Sequence, residues 1–183
     1  MNKEIETAIN LLEETNRYVP KASILDELEM VIERLRFSGL NFDLSHRMKA
    51  ENIKDKLSLI FKEEISNQML EFLYRLLDQN NLEIVTGDSA QLLIDETQRY
   101  YARVEEISVT VAIELTDDFK NWLEGQMLKK FAVRARIVFI IDNSVIAGSI
   151  ISFRNFRHDL SYRKNFLTLV QNHLSEDITK IKS

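Results

Sequence analysis

The sequence predicts an α+β chain: an N-terminal six-helix bundle, followed by a small α/β domain with a four-stranded mixed sheet. Three observations carry this. Apolar residues recur at helical spacing through roughly the first hundred positions. The period then drops to two, where Ile107, Val109, Val111 and Ile113 alternate with Glu106, Ser108, Thr110 and Ala112. Beyond it, two apolar runs, residues 133–141 and 145–153, are parted by Asp142-Asn143-Ser144. β-branched runs punctuated by Asp, Asn and Ser are strands joined by turns. The change of period sets the boundary, with residues 1–104 as the helical domain and 105–183 as the α/β domain.

Each element has its own signal. Residues 3–18 carry Ile5, Ala8, Ile9 and Leu12 on one stripe, and Pro20 ends the pattern. Ser23 and Asp26 resemble a capping box ahead of a second helix with Ile24, Leu28, Val31 and Leu35 inward. Residues 40–48 leave room for a short helix. Residues 49–61 return to helical spacing through Ile53, Leu57 and Ile60. Ser66 caps a fifth helix bearing Met69, Phe72, Leu73, Leu76 and Leu77, which Gln79-Asn80-Asn81 closes. A sixth spans roughly residues 88–104. Helices this short are stable only when packed on one another.

In the second half, Thr116 caps a helix over residues 117–131, with Phe119, Leu123, Met127 and Leu128 inward. Strands follow over residues 133–141 and 145–153. Arg154-Asn155 marks a turn to another strand, and Asp159-x-Ser161 precedes a last helix over about residues 162–174. Ala147-Gly148 falls inside the second apolar run, and a glycine there signals close approach by another segment, such as the preceding helix or a partner.

Composition excludes several classes. The chain has 183 residues, a net charge of −5 and 45% hydrophobic residues, enough for a real core. It has no cysteine, so neither a disulfide framework nor a thiolate metal site is possible. No apolar run approaches the ~20 residues of a membrane span, and the acidic start lacks the apolar core of an export signal. The four glycines are scattered and form no phosphate-cradling loop. His158, Asp159 and Ser161 include the residue types of a hydrolytic triad. Neighbours on a strand point to opposite faces, however, so Ser161 reads as a helix cap and Asp159 as turn support. No catalytic, cofactor-binding or metal residues are assigned. Bases concentrate at Lys129, Lys130, Arg134, Arg136, Arg154, Arg157, Arg163 and Lys164, which suits nucleic acid, an acidic protein or a solvated face.

The stretch from residue 132 to 170 resembles the C-terminal signature of the delta subunit of F-type ATP synthases, the oligomycin-sensitivity-conferring protein of mitochondria. Ile141, Asp142, Ser144, Val145, Ile146, Ala147 and Gly148 follow its first half. His158, Asp159, Leu160, Ser161, Tyr162 and Arg163 follow the second at the same separation. The departures are Ala147 for a glycine, Arg154 for the glycine usual in the turn, and Leu160 for a glycine between Asp and Ser. Phe72-Leu73-x-x-Leu76-Leu77-x-x-Asn80-x-Leu82 is similar to the family's fifth-helix stretch, with Asn81 where arginine is usual. Residues 107–116 resemble its first strand and the helix start that follows. The first helix lacks the family's Tyr-Ala-x-Ala-Leu-Phe-like opening.

That resemblance implies a non-catalytic peripheral-stalk subunit without cofactor, on the cytoplasmic face of the membrane and not inserted in it. The N-terminal domain would receive an N-terminal helix of the alpha subunit in a groove between the first and fifth helices. Ile5, Ile9, Leu12, Met69, Phe72 and Leu76 would stand half-exposed there. The C-terminal domain would hold the b-type stalk subunit, with Asp142, Ser144, Ala147, Gly148, Asp159, Ser161 and Arg163 as its signature. Nucleic acid is not an expected partner. Two other readings stay open: a delta-like adaptor in another assembly, and a small nucleic-acid-binding α+β protein. A salt titration separates them, since phosphate contacts weaken steeply with salt and an apolar groove does not.

Overall fold

The computed structural model describes residues 2–38, 49–131 and 135–161. The short helix expected within residues 40–48 and the last helix expected over 162–174 lie outside them. The chain divides into two compact units, Met1–Val104 and Glu105–Ser183.

The first unit contains α1 (Lys3–Thr15), α2 (Lys21–Phe37), α3 (Ala50–Phe61), α4 (Asn67–Asp78), α5 (Glu83–Thr86) and α6 (Ser89–Ala102). Its interior is one apolar cluster fed by every helix, from Ile5 and Leu12 to Leu28, Leu57, Phe72, Val85, Leu93 and Tyr101. Caps and side chains fix the helix ends. Asn2 caps α1 through its side-chain oxygen, which accepts from the Glu4 amide at 3.1 Å. The Ser66 hydroxyl accepts from the Met69 amide at 3.1 Å and caps α4. The Glu27 carboxylate of α2 accepts from both the amide and the hydroxyl of Ser66, at 3.1 and 2.7 Å, so α2 holds the start of α4. At the far end of α4, Asn80 sits at φ 55°. The Asn80 amide donates to Leu77 O at 2.9 Å and the Asn81 amide to Leu76 O at 2.8 Å. That is the two-bond left-handed termination glycine usually supplies and asparagine tolerates.

Two elements differ from the sequence reading. α2 begins at Lys21 behind Pro20, with no side-chain cap. Proline pre-sets the extended backbone there, so Ser23 is spent inside the first turn. The Lys21 ammonium reaches the carbonyls of Tyr101 and Val104, at 3.4 and 3.2 Å, and ties the start of α2 to the end of α6. The single turn α5 was not predicted, because four residues carry no readable period.

The second unit orders its strands β2-β1-β3-β4. β1 (Glu105–Val111) runs parallel to β2 (Ala135–Ile141) and antiparallel to β3 (Ser149–Phe153). β4 (Phe156–Asp159) pairs antiparallel with β3. The helix α7 (Asp117–Phe131) makes the crossover between the parallel pair. Ile107, Val109, Val111, Ile137 and Met127 form the core, with Leu123, Phe139, Ile151 and Phe153 packed on it. Ile113 is 71% exposed, beyond the end of β1. Phe119, expected inward, is 45% exposed. It stands eight residues from the buried Met127, about 80° round the helix, and slides off the core face. β3 starts only at Ser149, because Gly148 takes φ 84° and leaves the extended region.

Candidate partner-binding surfaces and the signature turn

The six residues expected to line a groove do come together, along the seam of α1 and α4. They are not half-exposed. Ile5, Ile9, Leu12, Met69, Phe72 and Leu76 are each 3% exposed or less. α1 buries Ile5, Ala8, Ile9, Leu11 and Leu12, a stripe wide enough to be enclosed by its neighbours. The adjacent pair Phe72 and Leu73 are both buried because Met69 at the centre of the α4 stripe lies between their directions. Only Leu70, Tyr74 and Leu77 of α4 remain partly buried at the edge.

Charged side chains close the outside of this seam. Arg75 of α4 donates from Nη1 to Glu14 of α1 at 2.8 Å and from Nε to Glu71 at 2.9 Å. The hydrogen bonds to Glu71 and then Glu14 raise the Arg75 pKa above its ordinary value, so the strap keeps its cation at any physiological pH. On the other flank, Lys54 of α3 reaches Asp78 at 2.9 Å and lies over the Tyr74 ring. The Glu71–Arg75 spacing is readable in sequence as an i,i+4 pair. The Glu14 partner, 61 residues away, is not.

In the second unit the signature residues build backbone geometry. The Asp142 carboxylate accepts from the Ser144 amide at 2.8 Å, and the Asp159 carboxylate accepts from the Ser161 amide at the same distance. These are two copies of one Asp-x-Ser turn. The first is anchored by the Asp142 amide donating to Val111 O at 2.9 Å, which fixes it to the end of β1. The Val145 amide closes the turn on Asp142 O at 3.0 Å, and Val145 itself is buried. The two halves then meet. The Leu160 amide donates to Ser149 O at 2.8 Å. A Cβ added at Gly148 would lie 2.3 Å from Leu160 O and 3.2 Å from Ser161 Cα. The close approach read from the glycine is therefore real, and it comes from the second half of the signature instead of α7. Ala147 is exposed beside it. Arg163 lies outside the described residues.

His158 and Asp159 pair with Ile151 and Ile150 respectively, so they occupy opposite sheet faces and cannot orient one another. Arg136 is 4% exposed and Arg154 is engaged by Glu105. Among the described residues, the basic run is thus not one exposed patch. Sequence reasoning also passed over an exposed aromatic pair on α7. Phe119 and Trp122 have ring centroids 5.4 Å apart. Their signal was an aromatic pair at i,i+3 beside a mid-helix glycine.

The chain carries a helical unit followed by a crossed-over mixed sheet, and comparison with known proteins finds a family for it. The profile of the ATP synthase delta (OSCP) subunit family matches residues 8–172. The delta subunit of Streptococcus mutans ATP synthase is 27% identical over 150 residues, covering 81% of this chain and 83% of that protein. The delta subunit from Caldicellulosiruptor bescii is 25% identical over 143 residues, covering 74% and 73%. A chain in the Toxoplasma gondii mitochondrial ATP synthase hexamer superposes with a TM-score of 0.43 at 16% identity, covering 95% of this chain and 98% of its own. This chain belongs to the ATP synthase delta (OSCP) subunit family.

Proposed function

We propose that the protein is a non-catalytic stator subunit of a rotary ATP synthase. It links the catalytic head to the b-type peripheral stalk and works at the membrane surface. The family match across residues 8–172 carries this reading, because it spans both units in one run. Among the described residues, no helix is long and apolar enough to cross a membrane, which suits a peripheral part.

A stator has to resist torque. Two pre-formed units of one chain can share that load without chemistry, and rigid surfaces lose little entropy when they dock. The first unit would take an alpha-subunit N-terminal helix at the α1–α4 seam. Its apolar floor, from Ile5 to Leu76, is covered, so entry there needs the Glu14–Arg75 strap to part. The second unit would hold the stalk.

The test is calorimetry of the full chain with two peptides from its own organism, the alpha N-terminal helix and the b-type C-terminal segment. Binding of each in the presence of the other is expected. Failure of both to bind, or competition between them, would overturn the reading.

A further inference from the structure

Within the first unit, α2 and α6 leave an open groove of about 490 Å³ between them. Each wall presents a row at helical spacing: Glu29, Ile32, Glu33 and Arg36 from α2, and Gln91, Ile94, Asp95 and Gln98 from α6. The two helices run antiparallel. The Lys21 ammonium at the start of α2 reaches the end of α6, and Gln98 donates to Glu29 at 3.0 Å. That register sets Glu33 level with Asp95, and Phe37 level with Gln91. Ile32 and Ile94, both buried, form the floor. Phe37 stands at one end, 81% exposed, and no large apolar side chain among the described residues is more open to water.

The charge on this groove is uncompensated. Glu29, Glu33 and Asp95 line it with Arg36, three acids to one base. Gln98 and Gln91 donate to Glu29 and Asp95, at 3.0 and 3.1 Å, and hold those carboxylates in place without neutralising them. The α1–α4 seam differs: there Arg75 answers Glu14 and Glu71, and Lys54 answers Asp78. Glu33 and Asp95 lie level at mid-groove, so a cation laid between them relieves a repulsion as well as gaining an attraction.

These features define the chemistry of an occupant. Two rows spaced i, i+3, i+4 and i+7 make the surface on which a third helix packs. Its apolar stripe would meet the isoleucine floor and Phe37, and its bases would reach Glu29, Glu33 and Asp95. We propose that the α2–α6 groove is a docking site for a basic amphipathic helix of a partner protein. This goes beyond the stator reading and does not depend on it. The lining rows extend about 12 Å, or two turns, so the contact is smaller than the ~1,000 Å² of a stable complex. Binding is therefore weak, with a Kd of roughly 0.1 mM at low salt.

The probe is a dye-labelled, amidated peptide of alanine, leucine and lysine, about 14 residues long, with leucines along one helical face and lysines beside them. Anisotropy with the full chain should show saturable binding, and the same peptide with glutamate for lysine should not bind. Glu33→Lys should weaken the lysine peptide about 10-fold and let the glutamate peptide bind. Glu51→Lys makes the same change in net charge at an exposed position of α3 and should stay within about twofold. Phe37→Ser should weaken binding about 5-fold at an unchanged urea midpoint, because the ring already lies in water. A lysine peptide that does not saturate by about 2 mM would overturn the proposal. So would equal losses from Glu33→Lys and Glu51→Lys, which reduce the effect to net charge, or full affinity in Phe37→Ser. Displacement by spermine at matched charge would give the groove to small cations. A large gain in affinity when residues 39–48 are replaced by a glycine–serine linker would give it to that segment. Either result would also sink the proposal.

Discussion

The seam between α1 and α4 and the joint at Gly148 both hold residues by which the family is recognised, and they use them in opposite ways. The seam relies on side chains. Ile5, Ile9, Leu12, Met69, Phe72 and Leu76 fill a core and are interchangeable, at some cost, with other apolar groups of similar volume. The joint relies on backbone. Two Asp-x-Ser turns and a left-handed glycine bring segments eleven residues apart into contact, and no other residue type fits at Gly148. Backbone devices tolerate little substitution, whereas packed interiors drift freely. This explains why the signature in the second unit is legible and the opening of the first helix is not.

The comparison is broken most forcefully at Ile9. If the seam is core, Ile9→Asp buries a carboxylate with no partner. It should cost about 5 kcal/mol or more, comparable with the whole stability of a small domain. Circular dichroism at 222 nm should show the first unit unfolded. A variant with wild-type signal and urea midpoint would put Ile9 on the surface and restore an open groove.

The joint comes next. Gly148→Ala adds a Cβ against Leu160 O in a φ region that β-carbons disfavour, and should cost about 2–4 kcal/mol by urea denaturation. A midpoint equal to wild type would mean the two turns are not latched there.

Arg75→Ala has a smaller effect. The pair is exposed, so the unfolding midpoint should stay within error, while affinity for the alpha N-terminal helix rises by roughly threefold as the seam loosens. Weaker binding would make Arg75 part of the contact. The pH behaviour follows from sign. A raised arginine pKa gives stability that is complete below the unfolded value and is lost only as pH rises through the folded one, far above neutrality. The Arg75 guanidinium should therefore add no slope to stability between about pH 6 and 9.

The smallest change is at Arg154, which holds φ 52° in the turn between β3 and β4. Arg154→Gly relieves about 1–2 kcal/mol of backbone strain and gives up an exposed pair with Glu105 worth at most ~1 kcal/mol. A net gain of up to about 1 kcal/mol in urea is expected. A loss would show that the side-chain contacts outweigh the turn.

Period and punctuation made much of this fold readable in advance. The drop from helical to alternating spacing after Val104, the Ser66 cap and the Asp-x-Ser turns are local signals, and each stands in the structure as local chemistry. What escaped was non-local or too short. α5 is one turn. Phe119 lies at the edge of a stripe, where a few tens of degrees decide burial. The groove residues, grouped by the family resemblance, share the α1–α4 seam and its core. Their exposure depended on how closely the helices beside them pack, and on a Glu14–Arg75 bridge that no local pattern announces.

The stator role itself is tested most directly by coupling. Membranes of the source organism, stripped of this subunit, would be supplied with ATP while hydrolysis and membrane potential are followed together. Hydrolysis without a potential is expected before the protein is added back, and a restored potential afterwards. A potential that forms equally well without the protein, or fails to return with it, would contradict its role as the link between head and stalk.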